Sequence, residues 1–471
     1  MRKKASRDRR LSRRDFLRHT SSALAAGTLM GFSGGLSCSV TPEPVNVVLI
    51  LIDDLGWKDL ACYGNPVVET PHIDRLASEG LRFTDAYAAC CVCSPTRASI
   101  LTGKYPARLH LTDWIPGYNP KNRKLIRPDF NQQLLLEEIT IAEALKKAGY
   151  VSASIGKWHL GGNGFLPQNQ GFDLNVGGDH RGQPPSYFAP YRIPGLENAP
   201  EGEYLTERLT QEALNFIEEN QNRPFFLYLS HYGVHMPLQA PEDLVEKYRK
   251  KLKKSPFPMK PVYAAMIEMI DRSVGAILKK LEERKLTRKT AVFFTSDNGG
   301  LTLFGITDNR PLRAGKGSPY EGGTRVPLIA WWPGVIRPGS TCTVPVISND
   351  FYPTILEMAG IPPWKQNPTD GKSLVPLLKG KSSLERDSLF WHYPHYHPGG
   401  ATPYSAIRSG PFKLIEFFED GRLELYNLAE DIGEANNLIQ EMPVLAHDLL
   451  EQLRAWRREV NASMPIENPN I

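Results

Sequence analysis

Cysteine is scarce in this chain: six residues in 471, at positions 38, 62, 90, 91, 93 and 342. They show neither paired zinc-finger spacing nor the density of a disulfide scaffold, so neither zinc clusters nor multiple staples hold this fold. Long apolar runs are missing too. The uncharged stretch from Ala23 to Val40 is broken by Gly27, Thr28, Gly31, Ser33, Gly34 and Gly35, which leaves it too short and too interrupted for a membrane span. Internal repeats, coiled-coil heptads and low-complexity tracts are also absent, which excludes solenoids and fibrous assemblies.

A charge excess is lacking once the first residues are set aside. Nine basic and two acidic residues fall in the first eighteen positions, whereas the whole chain carries only +5, so the rest carries about −2. A nearly neutral body gives no global electrostatic case for nucleic acid, although a local basic pocket for an anionic substrate is compatible with it. The basic start contains Ser12-Arg13-Arg14-Asp15-Phe16-Leu17-Arg18 ahead of the uncharged stretch. That pattern predicts a twin-arginine export signal over residues 1–40, the alternative being an exposed basic helix that binds nucleic acid. Gly35-Leu36-Ser37-Cys38 loosely resembles a lipoprotein cleavage box with its leucine one place late. Lipidation of Cys38 and ordinary cleavage nearby are both open. After export, Cys62, Cys90, Cys91 and Cys342 could form one or two disulfides or stay as small buried thiols.

The remaining roughly 430 residues suffice for a large domain and a smaller one. Val45 to Ile52 is nearly continuously apolar and β-branched, as expected for a strand buried on both faces of a sheet. Similar runs recur at Val151–Ile155, Phe225–Leu229, Ala291–Thr295 and Val326–Trp331, with amphipathic helical stretches between several of them. The alternation predicts an α/β sheet sandwiched by helices. Thr140 and Glu143 form a capping box for a short helix closed by Gly149, and Val262–Arg284 carries an apolar stripe at helical spacing. The Pro- and charge-rich stretch from Lys247 to Pro261 reads as a surface approach to that helix. Beyond about residue 385 the texture changes to short strands at Ser405–Arg408, Lys413–Phe418 and Leu423–Asn427, then a helix from Met442 to Val460. This predicts an antiparallel sheet crossed by a helix. The expected division is therefore 45–385 for the main domain and 386–464 for a smaller α+β unit.

Four of these strands end in polar residues suited to catalysis, and in doubly wound sheets sites form beyond the carboxyl ends of strands. The first ends in Asp53-Asp54, the second leads into Gly156-Lys157-Trp158-His159, the third into Ser230-His231-Tyr232-Gly233-Val234-His235, and the fourth into Asp297-Asn298. Any one pair could be a turn or a helix cap; four converging ends make a common pocket. Asp53, Asp54, Asp297 and Asn298 offer only oxygen ligands, which suit Ca²⁺ or Mg²⁺ better than zinc or copper.

The segment Cys93-Ser94-Pro95-Thr96-Arg97-Ala98-Ser99-Ile100-Leu101-Thr102-Gly103-Lys104, followed by Tyr105-Pro106-Ala107-Arg108, resembles the signature of the type I, formylglycine-dependent sulfatases. These are the arylsulfatase and N-acetylgalactosamine-6-sulfatase group of the alkaline phosphatase superfamily. The resemblance extends from Val45 to about Leu438 and takes in Tyr320 to Pro327 and Ser348 to Thr354. It departs from the usual pattern in having Asn349-Asp350 where valine-aspartate is common, and in lacking a glutamine or acid just after Asn298. It implies an alkaline-phosphatase-like fold, a large mixed and mainly parallel sheet with a smaller C-terminal antiparallel sheet plus helix. It also implies that Cys93 is oxidised to Cα-formylglycine, whose hydrate attacks the sulfur of a sulfate ester. Asp53, Asp54, Asp297 and Asn298, with the matured Cys93, would hold calcium, magnesium being the lesser alternative. Arg97 and Lys157 would be charge partners, His159 a base, and His235 and Lys316 would bind sulfate and protonate the leaving oxygen. Lys104 would hold the signature loop and helix.

Carried through, the resemblance implies an exported sulfatase that removes sulfate from carbohydrate. Its partners would be a sulfated carbohydrate, a formylglycine-generating enzyme and the twin-arginine translocase, with no nucleic acid. A phosphonate or phosphate-ester hydrolase of the same superfamily and a non-catalytic binder of sulfated glycans are the alternatives. The expected location is periplasmic, extracellular or at the cell surface, lipid-anchored if Cys38 is modified. His180, Arg181, His392, His395, His397 and Arg408 are candidate specificity residues, ordinary polar loops being the competing reading. The signal reading makes one direct prediction: replacing Arg13 and Arg14 together with lysine should strand the protein in the cytoplasm, as fractionation and immunoblotting would record. Normal export of the double variant would point to the general secretory route.

Overall fold

In the strand Asn46–Ile52 (β1), Val47, Leu49 and Leu51 join one apolar core while Val48, Ile50 and Ile52 join another. Successive side chains of a strand point to opposite faces, so a continuously apolar run requires cover on both sides. Helices supply it. Cys93–Thr102, Ile141–Lys146 and Phe351–Met358 lie over the first core, and Pro71–Glu79, Leu205–Glu219 and Pro261–Glu283 over the second. The computed structural model describes residues 44–363 and 367–471; the expected export signal and Cys38 lie outside the described residues.

The other strands of this sheet are Leu81–Phe83 (β2), Val151–Gly156 (β3), Leu174–Val176 (β4), Phe225–Ser230 (β5), Thr290–Ser296 (β6), Leu328–Trp331 (β7) and Ser340–Cys342 (β8). Their order is β8-β2-β7-β6-β1-β5-β3-β4, and every neighbouring pair is parallel except the two that involve β7. The expected mixed, mainly parallel sheet is therefore present. Its central quartet, β6-β1-β5-β3, is the set of strands whose polar ends drew attention in the sequence.

A second, antiparallel sheet has the order Ser388–Tyr393 (β9), Tyr404–Ser409 (β10), Phe412–Phe417 (β11), Leu423–Asn427 (β12), and the helix Pro443–Glu459 packs across it. Sequence texture missed β9. Its Trp391 and Leu389 pack with Tyr87, Cys90 and Val92 in a third core, so this sheet buries the segment that leads into the Cys93–Thr102 helix. One expectation needs correction: Lys247 to Leu252 is not an open surface approach but the last part of the helix Glu242–Leu252, which Leu244, Val245 and Tyr248 anchor by burial. Lysine density on its outer face obscured that stripe.

The capping box is formed as read, with Thr140 N–H donating to Glu143 at 2.8 Å and Glu143 N–H to Thr140 Oγ1 at 3.2 Å. Cys62, Cys90, Cys91, Cys93 and Cys342 are all free thiols, so the described part of the chain needs no staple.

Candidate active site

The four strand ends are adjacent in the sheet, and their backbones lock the side chains into one pocket. Asp53 N–H donates to Gly233 O at 2.9 Å, Val234 N–H to Asp53 O at 2.8 Å, Asp297 N–H to Ile52 O at 3.1 Å and Lys157 N–H to Ser230 O at 2.7 Å. Asp54 and His159 have φ of 61° and 59°, left-handed values that cost a non-glycine residue about 1–3 kcal/mol each. Both sit where a strand must turn a side chain back over the sheet edge.

Cys93 enters from the side as the first residue of the Cys93–Thr102 helix, all ten residues of which are buried. The helix ends at Gly103, φ 72°, where a Cβ would lie 2.8 Å from Tyr352 Cβ, so glycine is needed for both conformation and space. Lys104 pairs with Glu138 at 2.6 Å and fixes that end. Burial pushes the Cys93 thiol up against the pull of Lys157 and Lys316, so the sulfur is not primed as a thiolate.

Three carboxylates meet three cations here. Lys157 Nζ donates to Asp53 Oδ2 at 2.6 Å, Lys316 Nζ approaches Asp54 Oδ1 at 2.6 Å, and Arg97 donates to Asp297 Oδ2 through Nε at 2.9 Å and Nη2 at 2.7 Å. Burial, with Asp297 and Asp54 nearby, pushes the Asp53 carboxyl up to about 8 despite Lys157. At Asp54 burial is outweighed by Lys316 and His235, and the carboxyl is held below its ordinary range. Lys316 lies 3.9 Å from Cys93 Sγ, and burial fails to lower its pKa because Asp54 holds the proton in place.

Two oxygens are left over. Asp53 Oδ1 and Asn298 Oδ1 are buried without a hydrogen-bond partner, Asn298 Nδ2 being spent on Asp54 Oδ1 at 2.8 Å. One ligand atom each from Asp53, Cys93 and Asp297 lies within 4.8 Å of the others. Orphaned buried acceptors are expensive, and an all-oxygen set with spare lone pairs fits a hard divalent cation. Asp53, Asp54, Asp297 and Asn298, beside position 93, are the residues that fit it.

Among the described histidines only His235 comes near that set, its ring nitrogen lying within 4.8 Å of ligand oxygens of Asp53 and Asp54. His159 donates Nε2–H to Ile115 O at 2.6 Å, leaving Nδ1 buried and unpartnered, while burial and Lys157 keep the ring neutral. His235 donates Nδ1–H to Met236 O at 2.9 Å and turns Nε2 toward Asp54 Oδ2, 3.6 Å away; burial and Lys316 push it down to about 3. His231, at the same strand end, turns away to Ser273 Oγ.

The candidate specificity residues divide. His392 spends both ring nitrogens on Ser405 and Ser463, His395 is buried against Thr112, and Arg408 binds Tyr87 and Asp85. These three are consumed within the C-terminal sheet and its contacts, which corrects that part of the expectation. His397 is half-buried beside Trp114 and crowds Gly317, next to Lys316, where a Cβ would lie 2.1 Å from its Nδ1. Asp179 holds the Arg181 side chain, and a Cβ at Gly182 would meet the His159 ring at 2.6 Å, so the 180–182 turn lies against the pocket. Sequence reading placed Ser230 at a strand end but gave it no role, and its hydroxyl accepts from Arg97 Nη1 at 2.5 Å. Its place at the end of an apolar run was the available signal. Ile115 was missed, and a backbone carbonyl leaves no signal.

Residues 45–361 match the protein-family model described as Sulfatase, and residues 315–459 match the one described as N-sulphoglucosamine sulphohydrolase, C-terminal. The chain is 34% identical to a protein named Sulfatase from Formosa agariphila, over 88% of this chain and 89% of that one. It is 36% identical to N-acetylgalactosamine-6-sulfatase of Homo sapiens, over 76% of this chain and 70% of that one. Among solved structures it is similar to Ps i-CgsB in complex with k-i-k-neocarrahexaose, with a TM-score of 0.75, 29% identity and coverage of 88% of this chain and 93% of that one.

The donor set yields a test that needs no substrate. Calcium titrated into chelator-stripped protein should raise its melting temperature, since an ion held only by the native state stabilises it. Asn298→Ala should weaken that binding at least about tenfold. Calorimetry and anomalous scattering decide the matter, and zinc bound between His159 and His235 would overturn the division into metal ligands and proton carriers.

Proposed function

The chain belongs to the sulfatase family and is an enzyme that hydrolyses sulfate esters; from that footing we propose that it is an exported, calcium-dependent, formylglycine-bearing enzyme that removes sulfate from carbohydrate. The observation that carries the reading is Cys93 at the head of a buried helix, facing Lys157 and Lys316 and the orphaned oxygens of Asp53 and Asn298. The formylglycine matured from Cys93 would supply a nucleophilic oxygen, and a calcium ion held by Asp53, Asp54, Asp297 and Asn298 would supply Lewis-acid chemistry beside it.

The chain's own groups then divide the work. Arg97, Lys157 and Lys316 offer positive charge in a buried pocket, where it binds a sulfate anion more strongly than in water. Because its Nε2–H is given to Ile115, His159 has only Nδ1 with which to take up a proton. Lys316 keeps its proton, and with His235 beside Asp54 it is placed to deliver one to a departing alcohol oxygen.

A half-buried tryptophan and a histidine on one side, with the 180–182 turn on the other, suit a sugar ring better than a small anion. A relative named N-acetylgalactosamine-6-sulfatase and a similar structure in complex with k-i-k-neocarrahexaose support the same class. Export would place the enzyme in the periplasm or outside the cell. Among the described residues no helix is long and apolar enough to cross a membrane; lipidation of Cys38 would anchor the enzyme at a membrane surface. The translocase and a formylglycine-generating enzyme would be its partners, with no role for nucleic acid.

A panel of defined sulfated mono- and oligosaccharides, run beside phosphate and phosphonate esters of the same alcohols, tests the reading. Turnover of carbohydrate sulfates is the expected result; preference for the phosphorus esters would transfer the chain to its hydrolase neighbours in the superfamily. Mass spectrometry of the Cys93 peptide from active enzyme should find the aldehyde, and Cys93→Ala should abolish turnover while the protein stays folded. An unmodified thiol at full activity would remove the proposed nucleophile.

His235 gives a sharper test, because an activated phenolate leaves without help and a sugar alkoxide does not. His235→Ala should lower kcat/KM on a sugar sulfate by about 10²–10⁴ more than on an activated aryl sulfate. Equal losses on both would recast His235 as a sulfate-binding or structural residue.

A further inference from the structure

Resting on the reading of His159 as the base, we propose that Asp113 is a positioning residue that fixes the His159 ring through the backbone of Ile115. Ile115 stands between two parts of the pocket. Its N–H donates to Ser94 Oγ at 3.2 Å, on the residue after Cys93, and its C=O accepts from His159 Nε2 at 2.6 Å. One residue therefore ties the nucleophile helix to the ring of the base. With Nε2 engaged there, the tautomer is set and Nδ1 is left free.

The Ile115 backbone needs an anchor, and Asp113 supplies one. Its carboxylate is fully buried. Oδ1 accepts from Trp114 N–H at 2.9 Å and from Tyr393 Oη–H at 2.8 Å, and Oδ2 accepts from Tyr118 N–H at 3.2 Å. Arg127 Nη1 stands 3.9 Å from Oδ2. The donors flank Ile115 on both sides in sequence, so the carboxylate closes the 113–118 turn around it. Tyr393 belongs to β9, and Thr112 Oγ1 is held by His395 Nε2 at 2.8 Å just beyond that strand. The smaller sheet thus grips the turn at two consecutive residues.

A buried carboxylate is costly unless each lone pair has use. Here every hydrogen bond goes to the turn or to the clasp that holds it. Its effect on proton transfer would pass through His159, whereas an effect through Ser94 or Trp114 would persist without that ring, which separates positioning of the base from general packing.

The test is a double-mutant cycle with a spectroscopic arm. Asp113→Asn puts an amide N–H against the backbone donors, and Tyr393→Phe removes one bond to the carboxylate at little cost to the fold. Each should lower kcat on an aryl sulfate about 10- to 100-fold, the range for partners that orient a first-line group, with KM nearly unchanged. In a His159→Ala background neither should cause further loss, because the shared route is already cut. In ¹⁵N-histidine-labelled enzyme, the hydrogen-bonded His159 Nε2–H signal should be present in the parent and lost in Asp113→Asn. An equal fold-loss with and without His159, or an unchanged signal, would overturn the proposal. Failure of the parent enzyme to hydrolyse any sulfate ester would instead fault the functional reading, while the histidine signal would still decide the role of Asp113.

Discussion

One guanidinium joins the Cys93–Thr102 helix to the sheet. Arg97 is fully buried, and its nitrogens reach Asp297 at the end of β6, Ser230 at the end of β5 and the Lys157 carbonyl beyond β3, with Asp53 after β1 at 3.9 Å. Four adjacent strands therefore converge on a single side chain. A planar fork with fixed directions suits that task, and a lysine ammonium could not reproduce it. Such a buried charge gives little net stability, but its removal would leave carboxylates uncompensated at about 3–5 kcal/mol. It acts chiefly to hold geometry.

The remaining charges follow from that constraint. Burial raises the Asp53 carboxyl, Lys157 offsets only part of that, and the neighbouring Asp297 and Asp54 add to the rise, whereas Lys316 and His235 outweigh burial at Asp54. A divalent cation on the spare oxygens of Asp53 and Asn298 would complete the compensation and lower the Asp53 carboxyl by direct attraction. The strained backbones of Asp54 and His159 belong to the same arrangement. Each pays in conformational energy to turn a side chain toward a centre that the strands alone would leave facing along the sheet.

Much of this was legible in the sequence because buried parallel strands leave unbroken apolar runs that stop abruptly at polar residues. The runs ending at Asp53, Lys157, Ser230 and Asp297 are adjacent strands, and the oxygen-only chemistry of Asp53, Asp54, Asp297 and Asn298 needed no structure to be read. Periodicity failed where charge crowds a helix, as at Lys247 to Leu252. It also failed to raise β9, Ser388 to Tyr393, which carries no β-branched residue. The histidines between 392 and 397 look alike in sequence, and only their partners separate the two that serve the fold from the one at the pocket. Contacts made by main-chain atoms, such as the Ile115 carbonyl, are invisible to any reading of side chains.

The smaller sheet is part of the site rather than an appendage. Arg313, three residues before Lys316, donates to Tyr426 at 3.0 Å and to Glu434 O at 2.8 Å, while Lys413 bridges Glu321 and Glu434 at 2.9 Å each. The loop carrying Lys316 is thus braced from β11 and β12 and the turn that follows them, and the 113–118 turn from β9. His397 stands on the connection between β9 and β10. Most of the charged groups proposed to act on sulfate rise from the ends of the large sheet, with Cys93 on its own helix and Lys316 on the braced loop. The wall that a sugar would meet is instead built from loops, with His397 on the connection between β9 and β10 and Trp114 and the 180–182 turn on connections within the main domain. On this arrangement a change of sugar requires no change in the way sulfate is held.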